Sequence, residues 1–139
     1  STEATNTANG ETVVLGINFS ADIYNDDQGV SMENALWIDG KVFSIGKIIY
    51  DLPEEQFQTT KYWNIHSDDT SGSNDIDNIN VQLTFEPLGS KEKHLNVIIL
   101  VAHFVQPYGR FNGTIQINKN EVYTITNAFG VVENHYSKW

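Results

Sequence analysis

Apolar and polar positions alternate with a period of two along most of this chain. The stretch "VVLGINF" sets Val13, Leu15, Ile17 and Phe19 on one side. In "INVQLTFE", Ile79, Val81, Leu83 and Phe85 oppose Asn80, Gln82, Thr84 and Glu86. In "FNGTIQIN", Phe111, Ile115 and Ile117 oppose Asn112, Thr114, Gln116 and Asn118. Strict alternation marks a strand with one buried face. Further strands are predicted over residues 35–38, 42–50, 61–66 and 121–126. Asp39-Gly40, between "ALWI" and "KVFSIG", is a strong hairpin signal, and Lys119-Asn120 joins two strands with the same economy. "HSDDTSGSNDIDN" reads as a polar loop. Helical pattern is scarce: "LPEEQF" suits one short turn, and the stretch after Asn127 predicts a short C-terminal helical segment. Seven or eight antiparallel strands point to an all-β domain, a barrel or a two-sheet sandwich.

One stretch departs from the alternation. "LNVIILVAHFV", residues 95–105, is apolar at odd and even positions alike, with His103 in the parity of Val101 and Val105. Read as a single strand, it has two apolar faces, whereas an antiparallel strand of a lone barrel keeps one face wet. The second face therefore needs cover from a helix, a neighbouring sheet, or another chain or domain. The C-terminal helical segment is the internal candidate. The run then meets Gln106-Pro107-Tyr108-Gly109-Arg110, which reads as a connection to the next strand: Pro107 fixes φ and Gly109 permits an unusual backbone angle.

Charge and composition narrow the function classes. The 139 residues suit a single domain with a real core, and 40% of them are hydrophobic. A net charge of −10 repels phosphate backbones and anionic lipid, so no nucleic acid partner is expected. The absence of cysteine excludes disulfides and thiolate metal sites. No apolar run reaches the roughly 18–20 residues of a membrane span. No signal-peptide pattern opens the chain, and a cytoplasmic location is expected. Ser1 stands where a start methionine would, so the chain is expected to be a processed or trimmed piece of something longer.

The polar residues that interrupt the apolar pattern are the candidates for chemistry. His103 is either a satisfied core histidine or a ligand-facing acid or base. Arg110, one of eight basic residues, is either half of a structural ion pair or a clamp on a substrate. Glu33, beside Asn34, is either a solvent-facing acid at a strand start or an inward carboxyl raised by desolvation for proton transfer. Glu133, His135 and Tyr136 crowd together near Trp139 in a segment that either packs a barrel end or supplies polar groups. Their spacing fits no strong metal pattern, and no metal or cofactor is expected. There is no phosphate loop, GxSxG elbow or HExxH motif.

Three segments carry a resemblance: "ENALWIDGK", "VQPYGRFNGTI" and "NAFGVVENHYSKW", in this order. They resemble the family called domain of unknown function 2804. Glu33-Asn34-Ala35, Asp39-Gly40, Tyr108-Gly109-Arg110-Phe111, Gly113, Gly130, Glu133, His135 and Trp139 fall on its motif positions, while Met32 stands where a threonine is expected. The resemblance implies a lipocalin-like, calycin-type barrel. It also implies that residues 1–139 form the C-terminal half of a tandem barrel, with the N-terminal half of the same protein as a partner. Distant relatives of the family include carotenoid hydratases. That implies an apolar small-molecule ligand, lipid or isoprenoid-like, and acid–base chemistry such as hydration or isomerisation.

The expectation is thus a barrel cavity lined by aromatics such as Trp37, Phe43 and Phe104. Glu33, His103, Arg110, Glu133 and His135 are its candidate catalytic groups. Asn34, Trp37, Gln106 and Tyr108 are its candidate ligand contacts. The alternatives are a carbohydrate-binding β-sandwich and a structural half-domain without its own site. Trp37 and Trp63 separate the first two: an open aromatic face favours sugar, and an enclosed one favours lipid.

Overall fold

The computed structural model describes residues 1–21, 25–52, 61–68, 79–97, 100–118 and 120–138, with side chains described for all of these except 93–97, 100–103 and 134–138. The "LPEEQF" turn and most of the "HSDDTSGSNDIDN" loop lie outside the described residues. Among the described residues, ten strands follow one another: β1 (Thr2–Asn6), β2 (Thr12–Asn18), β3 (Ala35–Ile38), β4 (Lys41–Ser44), β5 (Ile48–Asp51), β6 (Trp63–Ser67), β7 (Asn80–Val97), β8 (Leu100–Asn118), β9 (Glu121–Val131) and β10 (Asn134–Lys138).

They form one antiparallel sheet in the order β4-β3-β2-β1-β9-β8-β7-β6-β5, with β10 paired to β8 beside that path. The topology forces the sheet to curl. Laid flat, eight spacings of about 4.8 Å would hold β4 and β5 roughly 38 Å apart. Yet β4 ends at Ser44 and β5 begins at Ile48, and four residues of chain span at most about 14 Å. The result is a half-barrel whose inner face carries one continuous core. Leu15, Leu36, Val81, Phe85 and Ile115 are wholly buried there, and Trp63 is 1% exposed. Trp63 meets Phe85 edge-on at 5.5 Å between centroids, and Phe85 meets Phe111 at 4.7 Å.

The Asp39-Gly40 hairpin is as expected. Both residues have positive φ, 45° and 82°, which is the two-residue turn that matches strand twist. The stretch 42–50 divides in two. At Ile45-Gly46-Lys47 the chain passes from one end of the sheet path to the other. Asn34 holds this crossing: its carbonyl accepts from the Ile45 N–H at 3.1 Å, and its side-chain Nδ2 donates to the Gly46 carbonyl at 2.9 Å.

The apolar run at 95–105 is not one strand. Val97 pairs with Leu100, Leu95 with Ala102 and His94 with His103, so the chain reverses inside the run. Conversely, Gln106-Pro107-Tyr108-Gly109-Arg110 is not a connection, because β8 passes straight through it. Pro107 is tolerated by position. Its carbonyl accepts from the Val132 N–H at 2.9 Å, so its nitrogen also faces the junction between β9 and β10, where the ladder is already broken. Pro87, on the neighbouring strand, sits at a bulge.

The C-terminal helix is not seen, and no helix occurs among the described residues. A bulge explains the helical look of this segment. Asn112 of β8 is matched by Thr126 and Asn127 of β9, and Asn127 adopts φ 55° while its N–H donates to Asn112 Oδ1 at 2.8 Å. The extra residue makes the buried positions Ile125 and Ala128 three apart, which is helical spacing in the sequence. Being a strand on the edge of β8, β10 adds to the sheet and does not lie across its face.

Candidate functional site

The alternation along β8 sorts its middle residues between the two faces. Val105, Pro107 and Gly109 are buried with the core, and Phe111 is half-buried against it. Gln106, Tyr108 and Arg110 point to the outer face. Register then brings neighbours to them. Arg110 is flanked by Glu86 of β7 and Phe129 of β9, and Tyr108 by Gly89 and Val131. The β9 bulge puts Phe129 and Val131 outside, because it resets parity after Ile125.

The outcome is an exposed aromatic strip on a polar half-barrel. Tyr108 is 41% exposed, Phe129 69%, Val131 52% and Leu88 51%. The Tyr108 and Phe129 rings lie 6.4 Å apart between centroids. Gly89 makes room for the phenol, since a methyl group at that position would come within 2.6 Å of the Tyr108 ring. Gln106 Nε2 donates to a Glu133 carboxylate oxygen in a short hydrogen bond, which fixes that carboxylate at one end of the strip. Tyr62 Oη lies 3.5 Å from Glu86 Oε1 at the other. Arg110, with five guanidinium N–H donors, makes no ion pair or side-chain hydrogen bond among the described residues.

The motif glycines belong to the inner side of the same strands. A methyl group at Gly109 would come within 2.8 Å of the Phe85 ring, and one at Gly130 within 2.7 Å of the Phe111 ring. Gly113 has φ 143°, a backbone state that L side chains avoid. The Tyr-Gly-Arg-Phe-x-Gly pattern therefore packs aromatic rings inward and presents Tyr108 and Arg110 outward.

Glu33, Asn34 and Trp37 form a separate group. Three strands, β2, β1 and β9, stand between β3 and β8, a path of about 19 Å at ordinary strand spacing. Glu33 is exposed, and its carbonyl accepts from Asn18 Nδ2 at 3.0 Å. Asn34 is 3% exposed and committed to backbone: besides its bond to Gly46, its Oδ1 accepts from the Ser20 N–H at 2.7 Å. Trp37 lies on the outer face against Gly16, 40% exposed, whereas Trp63 is in the core. Phe43 is half-buried against the core and Phe104 is half-buried on β8. His103 pairs in register with His94 and Tyr136, and His135 with Phe104. The side chains of His94, His103, His135 and Tyr136 lie outside the described residues.

Two tyrosines have shifted acidities away from the strip. Burial pushes the Tyr50 phenol up to about 12, and its hydroxyl donates to the Phe19 carbonyl at 3.0 Å. Burial also raises Tyr123, with Glu121 adding to the effect.

Sequence reasoning named Gln106, Tyr108, Arg110 and Glu133, and the fold gathers all four. It missed Phe129, Val131 and Leu88. The signal for Phe129 was its place in "NAFGVVE", hidden because the bulge imitates helical spacing. A family described as Domain of unknown function (DUF2804) matches residues 3–139. No curated protein and no solved structure matches the chain.

Proposed function

We propose that this chain, which belongs to the Domain of unknown function (DUF2804) family, binds an apolar small molecule, lipid or isoprenoid-like, that carries an anionic or polar end. The observation that carries this reading is the exposed Tyr108–Phe129 ring pair, extended by Val131 and Leu88, beside an Arg110 that no ion pair or side-chain hydrogen bond engages among the described residues. Covering about 100–200 Å² of such surface yields roughly 2.5–5 kcal/mol. Aromatic rings next to an open guanidinium suit an apolar body with an acidic head. The inner face supports an outer location for the ligand, because Leu15, Leu36, Phe85 and Ile115 already fill it. Glu133, which accepts a hydrogen bond from Gln106, is the carboxylate we assign to proton transfer at the strip's end. A hydration or isomerisation of a double bond would begin there.

Two matched ligands test this, a fluorescent fatty acid and the alcohol of the same chain length. Saturable binding of one per chain is expected. Phe129→Ala weakens both ligands, and Arg110→Gln weakens the acid about tenfold more than the alcohol. The competing carbohydrate reading draws on the exposed Trp37 ring. If an oligosaccharide quenches tryptophan fluorescence, Trp37→Ala abolishes that response, and neither lipid probe binds, the lipid reading is wrong.

A further inference from the structure

The outer face of β8 is not uniformly apolar. Its outward residues run Arg110, Tyr108, Gln106, Phe104: a charge, an aromatic ring, an amide and a second ring. The first three each belong to a row across the sheet. Arg110 stands between Glu86 and Phe129, and Tyr108 between Gly89 and Val131. Gln106 has Lys91 as its direct partner on β7 and donates to Glu133 on its other side. The exposed apolar strip is therefore bounded at both ends. Past Arg110 the next outward residue is Asn112, paired with Thr84, and both are polar. At the other end the strip meets the row of Lys91, Gln106 and Glu133, with the half-buried Phe104 beyond it.

This order of groups acts as a ruler. An acid anchored at Arg110 finds apolar cover in one direction along β8, toward Gln106. The two residues are four positions apart, about 13 Å of strand. An extended alkyl chain, with C–C bonds of about 1.5 Å at tetrahedral angles, advances about 1.25 Å per carbon, so roughly ten carbons bridge them. A plain methylene at that point would strip water from Lys91 and Glu133 and return no hydrogen bond. A hydroxyl there donates to the Glu133 carboxylate, which keeps lone pairs beside its bond from Gln106. Resting on the lipid reading above, we propose that the ligand is a long-chain acid with an oxygen at mid-chain, of the hydroxy fatty acid class. Its carboxylate sits on Arg110 and its first carbons cover Tyr108 and Val131. Its hydroxyl meets Gln106 and Glu133, and its tail continues over Phe104.

The measurement is displacement of a fluorescent fatty acid from the whole chain by octadecanoic acid and by its 2-hydroxy and 10-hydroxy derivatives. The 10-hydroxy acid is expected to bind about tenfold more tightly than the other two, the gain of one charge-assisted hydrogen bond. This positional comparison needs no variant. Gln106→Ala combined with Glu133→Ala is expected to erase the advantage, and Arg110→Gln to weaken all three acids by a similar factor. Equal affinities for the three, a preference for the 2-hydroxy acid, or an advantage that survives the double substitution would each overturn the mid-chain oxygen while the fatty acid itself still binds. If no fatty acid binds, the lipid reading fails and this inference falls with it.

Discussion

Replacing Asn34 with alanine separates a structural role for this residue from a ligand-binding one. Asn34 is 3% exposed. Its amide spans two segments, accepting from the Ser20 N–H at 2.7 Å and donating to the Gly46 carbonyl at 2.9 Å. Gly46 lies in the crossing that carries the chain from β4 to β5, so the side chain ties the segment just after β2 to the closure of the half-barrel. Truncation leaves one backbone donor and one backbone acceptor without partners. Each such loss costs about 1–3 kcal/mol, and water reaching the part-buried partners keeps the sum near 2–4 kcal/mol. With a urea m-value of about 1.5 kcal/mol/M, the midpoint should fall by roughly 1.3–2.7 M with m unchanged. Equilibrium unfolding followed by tryptophan fluorescence measures it, since Trp63 is buried in the folded core. A loss below about 0.5 kcal/mol, where such bonds are expected to contribute about 1 kcal/mol or more, refutes the structural role. So does a variant of native stability that has lost affinity for the lipid probe.

Stability should also fall at alkaline pH. The Tyr50 phenol is raised in the folded protein to about 12 from 10.0, so its stabilising effect is complete below pH 10 and is lost as the pH climbs to about 12. Two units correspond to about 2.7 kcal/mol, and Tyr50→Phe should flatten that stretch of a stability-against-pH curve. Gly130→Ala should destabilise the fold by about 1–3 kcal/mol through its clash with Phe111. Phe111→Leu should relieve part of that loss, giving a coupling above about 0.5 kcal/mol in a double-mutant cycle of unfolding free energies. The His66–Asp51 pair, 3.4 Å apart with Asp51 58% exposed, should contribute less than about 1 kcal/mol, measured by Asp51→Asn in urea.

Much of this protein is settled locally, and its sequence is enough to read it. Period-two alternation places β2, β3, β6 and the start of β7, because a half-buried strand needs nothing beyond its own pattern. Asp39-Gly40 specifies its turn because glycine and aspartate tolerate the positive φ that the hairpin requires. The polar residues of the outer strip were visible as interruptions of apolar runs. What the chain could not declare alone depends on pairing. An apolar run has the same appearance whether it is one strand with two covered faces or two strands folded together, and the partnership of Val97 with Leu100 decides for the second. The bulge at Thr126-Asn127 exists because β9 must stay in register with β8, so the outward turn of Phe129 and Val131 is a property of the pair. The separation of Glu33 and Trp37 from Arg110 is likewise set by strand order, which side-chain alternation does not encode. Alternation assigns a residue to a face, and only the tertiary structure assigns that face its neighbours.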